Sequence, residues 1–95
     1  MPKVSVIMGI YNTPSKEMLE KSIKSILNQL YTDFELIICD DGSINECFSW
    51  AKEICENDDR VIFLKNDKNK GLAYTLNYCL QKATGEYIAR MDDDD

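Results

Sequence analysis

Phe34-Glu35-Leu36-Ile37-Ile38-Cys39-Asp40-Asp41-Gly42-Ser43 joins a near-continuous apolar run to an abrupt acidic turn. Leu36 to Cys39 carry no polar alternation, so the segment reads as a strand covered on both faces, the signature of a parallel sheet. Asp40-Asp41-Gly42 ends it with turn-forming residues. The neighbouring segments follow the same logic. Upstream, Val4-Ser5-Val6-Ile7-Met8 is a short apolar strand, broken by Tyr11-Asn12-Thr13-Pro14. A helix is expected next, with Thr13 as N-cap and Pro14 in the first helical position. Leu19, Ile23, Ile26, Leu27 and Leu30 form its apolar stripe at helical spacing.

Downstream, Ser43-Ile44-Asn45-Glu46 has the S-x-x-E form of a capping box opening a second helix, whose inner stripe is Cys47, Phe48, Ala51, Ile54 and Cys55. Val61 to Leu64 is a third strand, and 66–70 a polar loop. Gly71 opens a third helix with Leu72, Ala73, Leu76, Leu80 and Ala83 facing inward, and Gly85 stands where a left-handed C-terminal cap is expected. Tyr87 to Met91 is a fourth, buried strand, and Asp92 to Asp95 follow its end. The order β-α-β-α-β-α-β predicts an α/β fold: a parallel sheet of about four strands with helices on both faces. Ligands of such sheets bind beyond the carboxyl ends of the strands, so Tyr11-Asn12, Asp40-Asp41 and the terminal aspartates should converge on one edge.

Bulk properties narrow the function classes. Ninety-five residues suffice for one small domain. A net charge of −6 lacks the basic face of a nucleic-acid binder. No stretch approaches a membrane span, and the N-terminus lacks the apolar core of a signal peptide. Cys39, Cys47, Cys55 and Cys79 form no C-x-x-C pair and the chain has no histidine, so a zinc site is not expected. Each cysteine lies in an apolar run and reads as a buried free thiol, which points to the cytoplasm. A chain that stops at an acidic cluster after an open-edge strand reads as a fragment.

The polar residues at the strand ends carry the chemistry. Four adjacent carboxylates are either a solvated tail or a set that repels itself until a cation offsets it. Mg²⁺ or Mn²⁺ suits carboxylate oxygens and accepts diphosphate as co-ligand, and Asp92 and Asp94 stand at alternate positions from which to share one. Asp40 and Asp41 make a good turn; a carboxylate there can also accept the ring N–H of uracil or guanine. Tyr11 either packs or stacks on a flat base. Lys70, beside a helix start, is the lysine best placed to approach a phosphate or base. The role of Arg90 is open, because alternation allows it either face. Trp50 reads as packing.

Taken in order, Val4–Met8 with Tyr11-Asn12, Ser25–Gln29, Asp40–Ser43, Asn69–Ala73 with Asn77, and Ala83–Met91 with the aspartates resemble the family 2 glycosyltransferases. The resemblance covers essentially the whole chain. It implies the nucleotide-diphospho-sugar-binding part of a GT-A fold over residues 1–95, with the acceptor-binding part absent. It further implies a nucleoside-diphosphate sugar donor, usually UDP-linked, a saccharide or other hydroxyl acceptor, and a role in bacterial surface polysaccharide synthesis. Ile10, Tyr11, Asn12, Asp40, Asp41, Lys70, Asp92 and Asp93 are then the nucleotide-binding set. Tyr11 matches the base-stacking residue, Asp40 or Asp41 (Asp41 preferred) the carboxylate that reads the uracil N–H. Asp92 and Asp94 match the D-x-D pattern that holds Mn²⁺ or Mg²⁺ on the diphosphate, with Asp93 in the middle position, often small in relatives. The implied reaction is a single displacement with inversion. Its general base comes from a later segment in relatives, so no catalytic residue is assigned, and these 95 residues are expected to bind donor weakly at most and not to transfer sugar. The intact protein is expected in the cytoplasm, the inner face of the membrane included.

Four other classes stand beside this one. A nucleotide-sugar-binding module without catalysis shares every feature above. A sugar nucleotidyltransferase calls for a glycine-rich loop with basic residues after strand one, where this chain has Tyr11-Asn12-Thr13-Pro14. A receiver-like domain needs an aspartate after strand three, where this chain has Lys65. A dinucleotide oxidoreductase is disfavoured by the lack of G-x-G-x-x-G after strand one.

Overall fold

The computed structural model describes residues 2–29 and 31–93. Leu30, Asp94 and Asp95, to which the sequence gives roles in the first helix stripe and the acidic cluster, lie outside the described residues. The elements run β1 (Val4–Ile10), α1 (Lys16–Leu27), β2 (Phe34–Asp40), α2 (Cys47–Ile54), β3 (Val61–Lys65), α3 (Leu72–Lys82) and β4 (Tyr87–Arg90). All pairings are parallel and the strand order is β3-β2-β1-β4. The expected α/β architecture with helices on both faces is therefore present.

Side-chain alternation along the central strands divides the core in two. Val6, Met8, Ile10, Leu36 and Ile38 pack against Leu19, Ile23 and Ile26 of α1, Cys47 and Ala51 of α2, and Cys55 just past its end. Ile7, Ile37 and Cys39 face the other way, against Cys79, Leu76 and Ala83 beside α3. All seven residues of β2 are buried, as its apolar run demands. The four cysteines are free and buried, and Trp50 packs on the first cluster.

Several local expectations are corrected. β4 is exposed along its whole length, not buried: among the described residues it pairs only with β1, at the edge of the sheet. Helix α1 is capped by Ser15, whose side chain accepts the Met18 N–H, because the Thr13 hydroxyl is committed elsewhere, donating to Asp93. The capping box before α2 does not form. Ser43 Oγ donates instead to Asp40 Oδ1 and accepts the N–H of Asn12, while Glu46 makes no side-chain cap. In α3 the buried positions are Thr75 and Cys79; Leu72 and Leu80 are 51% and 42% exposed. Gly71 leads into α3 as expected, but hydrogen bonds at its N-terminus turn the polar Thr75 onto the sheet.

Gly85 is not a left-handed cap either, since Gly42 and Gly71 are the glycines with positive φ. Its role is close approach: a Cβ there would lie 2.7 Å from both the N and Oγ of Ser5. The Gly85 N–H donates to Ser5 Oγ at 2.8 Å, and Ser5 Oγ donates at 2.5 Å to buried Glu35, whose Oε2 also accepts the Thr84 N–H. This chain of bonds fastens the start of β4 to β1 and β2. Gly85→Ala should therefore destabilise the protein by about 1–3 kcal/mol, the usual cost of overpacking. Denaturant unfolding of the two proteins measures the difference.

Candidate functional site

The first fixed point at the carboxyl edge of the sheet is Asp41, 4% exposed at the end of β2. Its N–H donates to the Ile10 carbonyl at 2.8 Å, which ties it to β1. Its carboxylate gathers the segment that precedes α3. Oδ1 accepts from Asn66 Nδ2 at 2.9 Å and from the Lys70 N–H at 2.7 Å. Oδ2 accepts from Asn69 Nδ2 at 2.8 Å and from the Gly71 N–H at 2.9 Å. The Lys70 and Gly71 N–H groups belong to the N-terminus of α3, whose dipole favours an anion. Burial pushes the carboxyl pKa up, but the donors from Lys70, Asn66 and Gly71 outweigh it and hold the group below its ordinary 3.8. Asn66 is itself buried and bridges Asp41 to Thr75 Oγ1 at 3.0 Å.

A cleft of about 430 Å³ opens beside this clamp, lined by β1 residues Gly9 and Ile10, then Tyr11, Asp41, Asn69, Gly71, Leu72, Thr75, Arg90, Asp92 and Asp93. The strand ends thus converge as the alternation predicts, although not with every residue named. Ile10, Tyr11, Asp41, Asp92 and Asp93 of the expected nucleotide-binding set line the cleft. Tyr11 is 49% exposed, so its ring is accessible there.

Asn12, Asp40 and Lys70 do not line the cleft. Asn12 adopts a positive φ of 47°, and its Oδ1 accepts the Ile44 N–H at 2.8 Å, fixing the turn that carries Tyr11. Asp40 is buried beneath, its oxygens taking the N–H and hydroxyl of Ser43 at 3.1 and 2.5 Å. Of the two adjacent aspartates, Asp41 is therefore the one that reaches the cleft. Lys70 contributes its backbone N–H, while its ammonium lies 3.8 Å from Asp67 and over the Tyr74 ring.

At the end of β4, Asp93 Oδ2 accepts the Thr13 hydroxyl at 2.5 Å and its carbonyl accepts Ser22 Oγ at 3.0 Å. Both bonds tie the acidic segment to α1 and the loop before it. Arg90 Nη2 lies 3.2 Å from Asp92 Oδ1, with both side chains about half exposed. Among the described residues no three acidic, thiol or imidazole side chains assemble as a metal cluster. Asp92 presents a hard carboxylate oxygen to the cleft, the donor type suited to Mg²⁺ or Mn²⁺, ions that usually complete their shell with substrate phosphates and water. Asp94, its expected partner, lies outside the described residues.

The cleft residues that pattern reading did not assign to the site are Gly9, Asn69, Gly71, Leu72 and Thr75, and it left Arg90 open. Register settles Arg90: it pairs with Ile7, and Ile7 faces the α3 side. Gly9 carries a sequence signal only in retrospect, since a Cβ there would come 3.2 Å from Thr75 Cγ2.

Residues 5–95 match the family model described as Glycosyl transferase family 2. The chain is 52% identical over 95 residues to EpsE of Bacillus subtilis (strain 168), covering 99% of this chain and 34% of that protein. It is 40% identical over 96 residues to a GalNAc(5)-diNAcBac-PP-undecaprenol beta-1,3-glucosyltransferase of Campylobacter jejuni, covering 100% of this chain and 30% of that one. The chain thus spans about a third of the length of the curated relatives it matches. Among solved structures, the mannosyltransferase PcManGT from Pyrobaculum calidifontis, in complex with GDP-Man and Mn²⁺, superposes with a TM-score of 0.88 at 27% identity over 98% of this chain and 28% of that one. S. aureus TarS 1-349 in complex with UDP superposes with a TM-score of 0.86 at 25% identity over 97% of this chain and 27% of that one.

The Asp41 clamp has a measurable pH signature. A carboxyl held below its ordinary 3.8 contributes stability that is present above that value and is lost as pH falls through the lower folded-state value. Asp41→Asn loses charged hydrogen bonds and turns an amide toward fixed N–H donors. At pH 7 it should cost about 1.5–3 kcal/mol. Its stability should also decline less steeply with acid than that of the parent, as followed by denaturant unfolding between pH 7 and 3.

Proposed function

This chain belongs to glycosyl transferase family 2, and we propose that it forms the donor-binding part of an enzyme that transfers a sugar from a nucleoside diphosphate, UDP in the first instance, to a hydroxyl acceptor with inversion. The setting we assign is bacterial surface polysaccharide or glycoconjugate synthesis. The observation that carries this reading is the single cleft at the strand ends, where an accessible aromatic ring, a buried carboxylate and an acidic segment with one arginine meet. The complexes of the structural relatives with GDP-Man and with UDP support a nucleotide ligand for this fold.

In this reading Tyr11 stacks on the base, a contact of about 1–3 kcal/mol. Asp41 accepts the ring N–H, which uracil and guanine both possess. Ile10 and Gly9 form the apolar floor, and Gly9 keeps it close to Thr75. Arg90 brings positive charge to the diphosphate, and Asp93 holds the end of β4 against Thr13 and Ser22. A divalent ion held by Asp92, with Asp94 as the expected second ligand, would supply Lewis-acid stabilisation of the leaving diphosphate. The general base and the acceptor site belong to parts of the intact protein beyond these residues, so this segment alone binds donor and does not transfer sugar. No described helix is long and apolar enough to cross a membrane. The four free buried thiols fit a cytoplasmic location, at the inner face of the membrane for an enzyme with a lipid-linked acceptor.

Calorimetric titration of the full chain with UDP, with and without Mn²⁺, tests the reading, with GDP as comparator. Metal-dependent UDP binding is expected, weakened about tenfold or more in Asp92→Ala, as for loss of a charged contact. Binding of GDP in place of UDP would change the donor while keeping the site. A folded chain that binds neither would overturn the assignment.

A further inference from the structure

Asp41 offers a base N–H no vacant place. An ionised carboxylate accepts at roughly four lone-pair positions, and four donors of the chain already occupy them. Three of these donors are immobile. The Lys70 and Gly71 N–H groups are backbone at the start of α3, and Asn66 is buried with its amide shared between Asp41 and Thr75. The fourth, the Asn69 amide at 2.8 Å from Oδ2, belongs to an exposed side chain whose other hydrogen bond is a long one, 3.4 Å to the Asp41 carbonyl. The backbone beneath it is held by the adjoining Lys70 and Gly71 N–H bonds to Asp41 and packs closely on Gly42, where a Cβ would lie 2.5 Å from the Asn69 nitrogen. A rotation of the side chain is therefore enough to free Oδ2, and the rest of the loop stays in place. Asn69 also lines the cleft together with Tyr11 and Asp41.

We infer that Asn69 is an internal competitor for the nucleotide base: its amide occupies the Asp41 lone pair that a ring N–H requires, and the donor binds by displacing it. This rests on Asp41 reading the base. The device keeps a buried carboxylate satisfied in the free protein. It also sharpens specificity, because a base replaces the lost Asn69 bond only if it brings its own N–H. Adenine presents an acceptor nitrogen at that ring position, so it would leave the lone pair vacated by Asn69 unfilled, with Oδ2 keeping only the Gly71 N–H.

The test measures UDP and N3-methyl-UDP affinities for the full chain and for Asn69→Ala, with thermal unfolding as the check on folding. Removing the competitor should tighten UDP about three- to tenfold, the range of one exchanged hydrogen bond. A side chain that merely orders the loop would loosen it. Unchanged or weaker UDP binding by folded Asn69→Ala overturns the inference while leaving the base-reading role of Asp41 intact. If N3-methylation does not weaken binding to the parent protein, Asp41 does not read the base and the inference falls with that role. Asn69→Ser, whose hydroxyl is too short to span to Oδ2, gives the same readout if Asn69→Ala does not fold.

Discussion

A buried carboxylate at the end of β2 sets the positions of the other parts of the site. Removing the Asp41 charge from water is costly unless hydrogen bonds replace its hydration. Two backbone N–H groups and two side-chain amides do so here. Satisfying one charge fixes where the 66–71 segment lies and the direction in which α3 begins. The direction of α3 decides which of its residues meet the sheet. Thr75 is 1% exposed beneath the clamp and shares the Asn66 amide with Asp41, which is why a polar residue occupies a position the apolar pattern would give to leucine.

That anchoring acts together with the topology. With strand order β3-β2-β1-β4, the chain adds two strands on one side of β1 and then crosses to the other. The crossing element is α3, on the sheet face opposite α1 and α2. A crevice forms where connections diverge in this way, between the end of β1, carrying Tyr11, and the end of β4, carrying Asp92 and Asp93. The exposure of β4 follows from the same layout: it has β1 on one side and no strand on the other among the described residues.

What the sequence made legible was whatever depends on long-range periodicity. The unbroken run Leu36 to Cys39 announced a doubly covered strand, and alternating elements placed their acidic ends on one edge. Local readings failed where a side chain had a better partner than the helix end. Thr13 and Ser43 match capping rules, yet one hydroxyl goes to Asp93, 80 residues on, and the other turns back to Asp40 at the end of β2. Gly85 looked like a helix stop and is instead a close approach to β1. Asn69 stood in a stretch that carried the family resemblance but gave no signal of its own role: an asparagine in a polar loop is ordinary, and only the fourth hydrogen bond on Asp41 distinguishes it.

Charge in the cleft bears on what it can hold. The ionisable carboxylates and bases lining it are Asp41, Asp92, Asp93 and Arg90, three acids against one base. Asp41 is neutralised in effect by its donors and the start of α3, and Arg90 is drawn toward Asp92 at 3.2 Å. A diphosphate entering this space would meet carboxylates on the β4 side with one guanidinium beside Asp92. At separations of about 4 Å, like charges in a partly buried site repel by several kcal/mol. Arg90 alone cannot offset both the aspartates and the phosphates. A divalent cation shared by Asp92 and the diphosphate would reverse the balance and release Arg90 from Asp92 toward the phosphates. Under the proposed donor-binding reading, the acidity that would repel the nucleotide in the absence of metal would then make its binding depend on one.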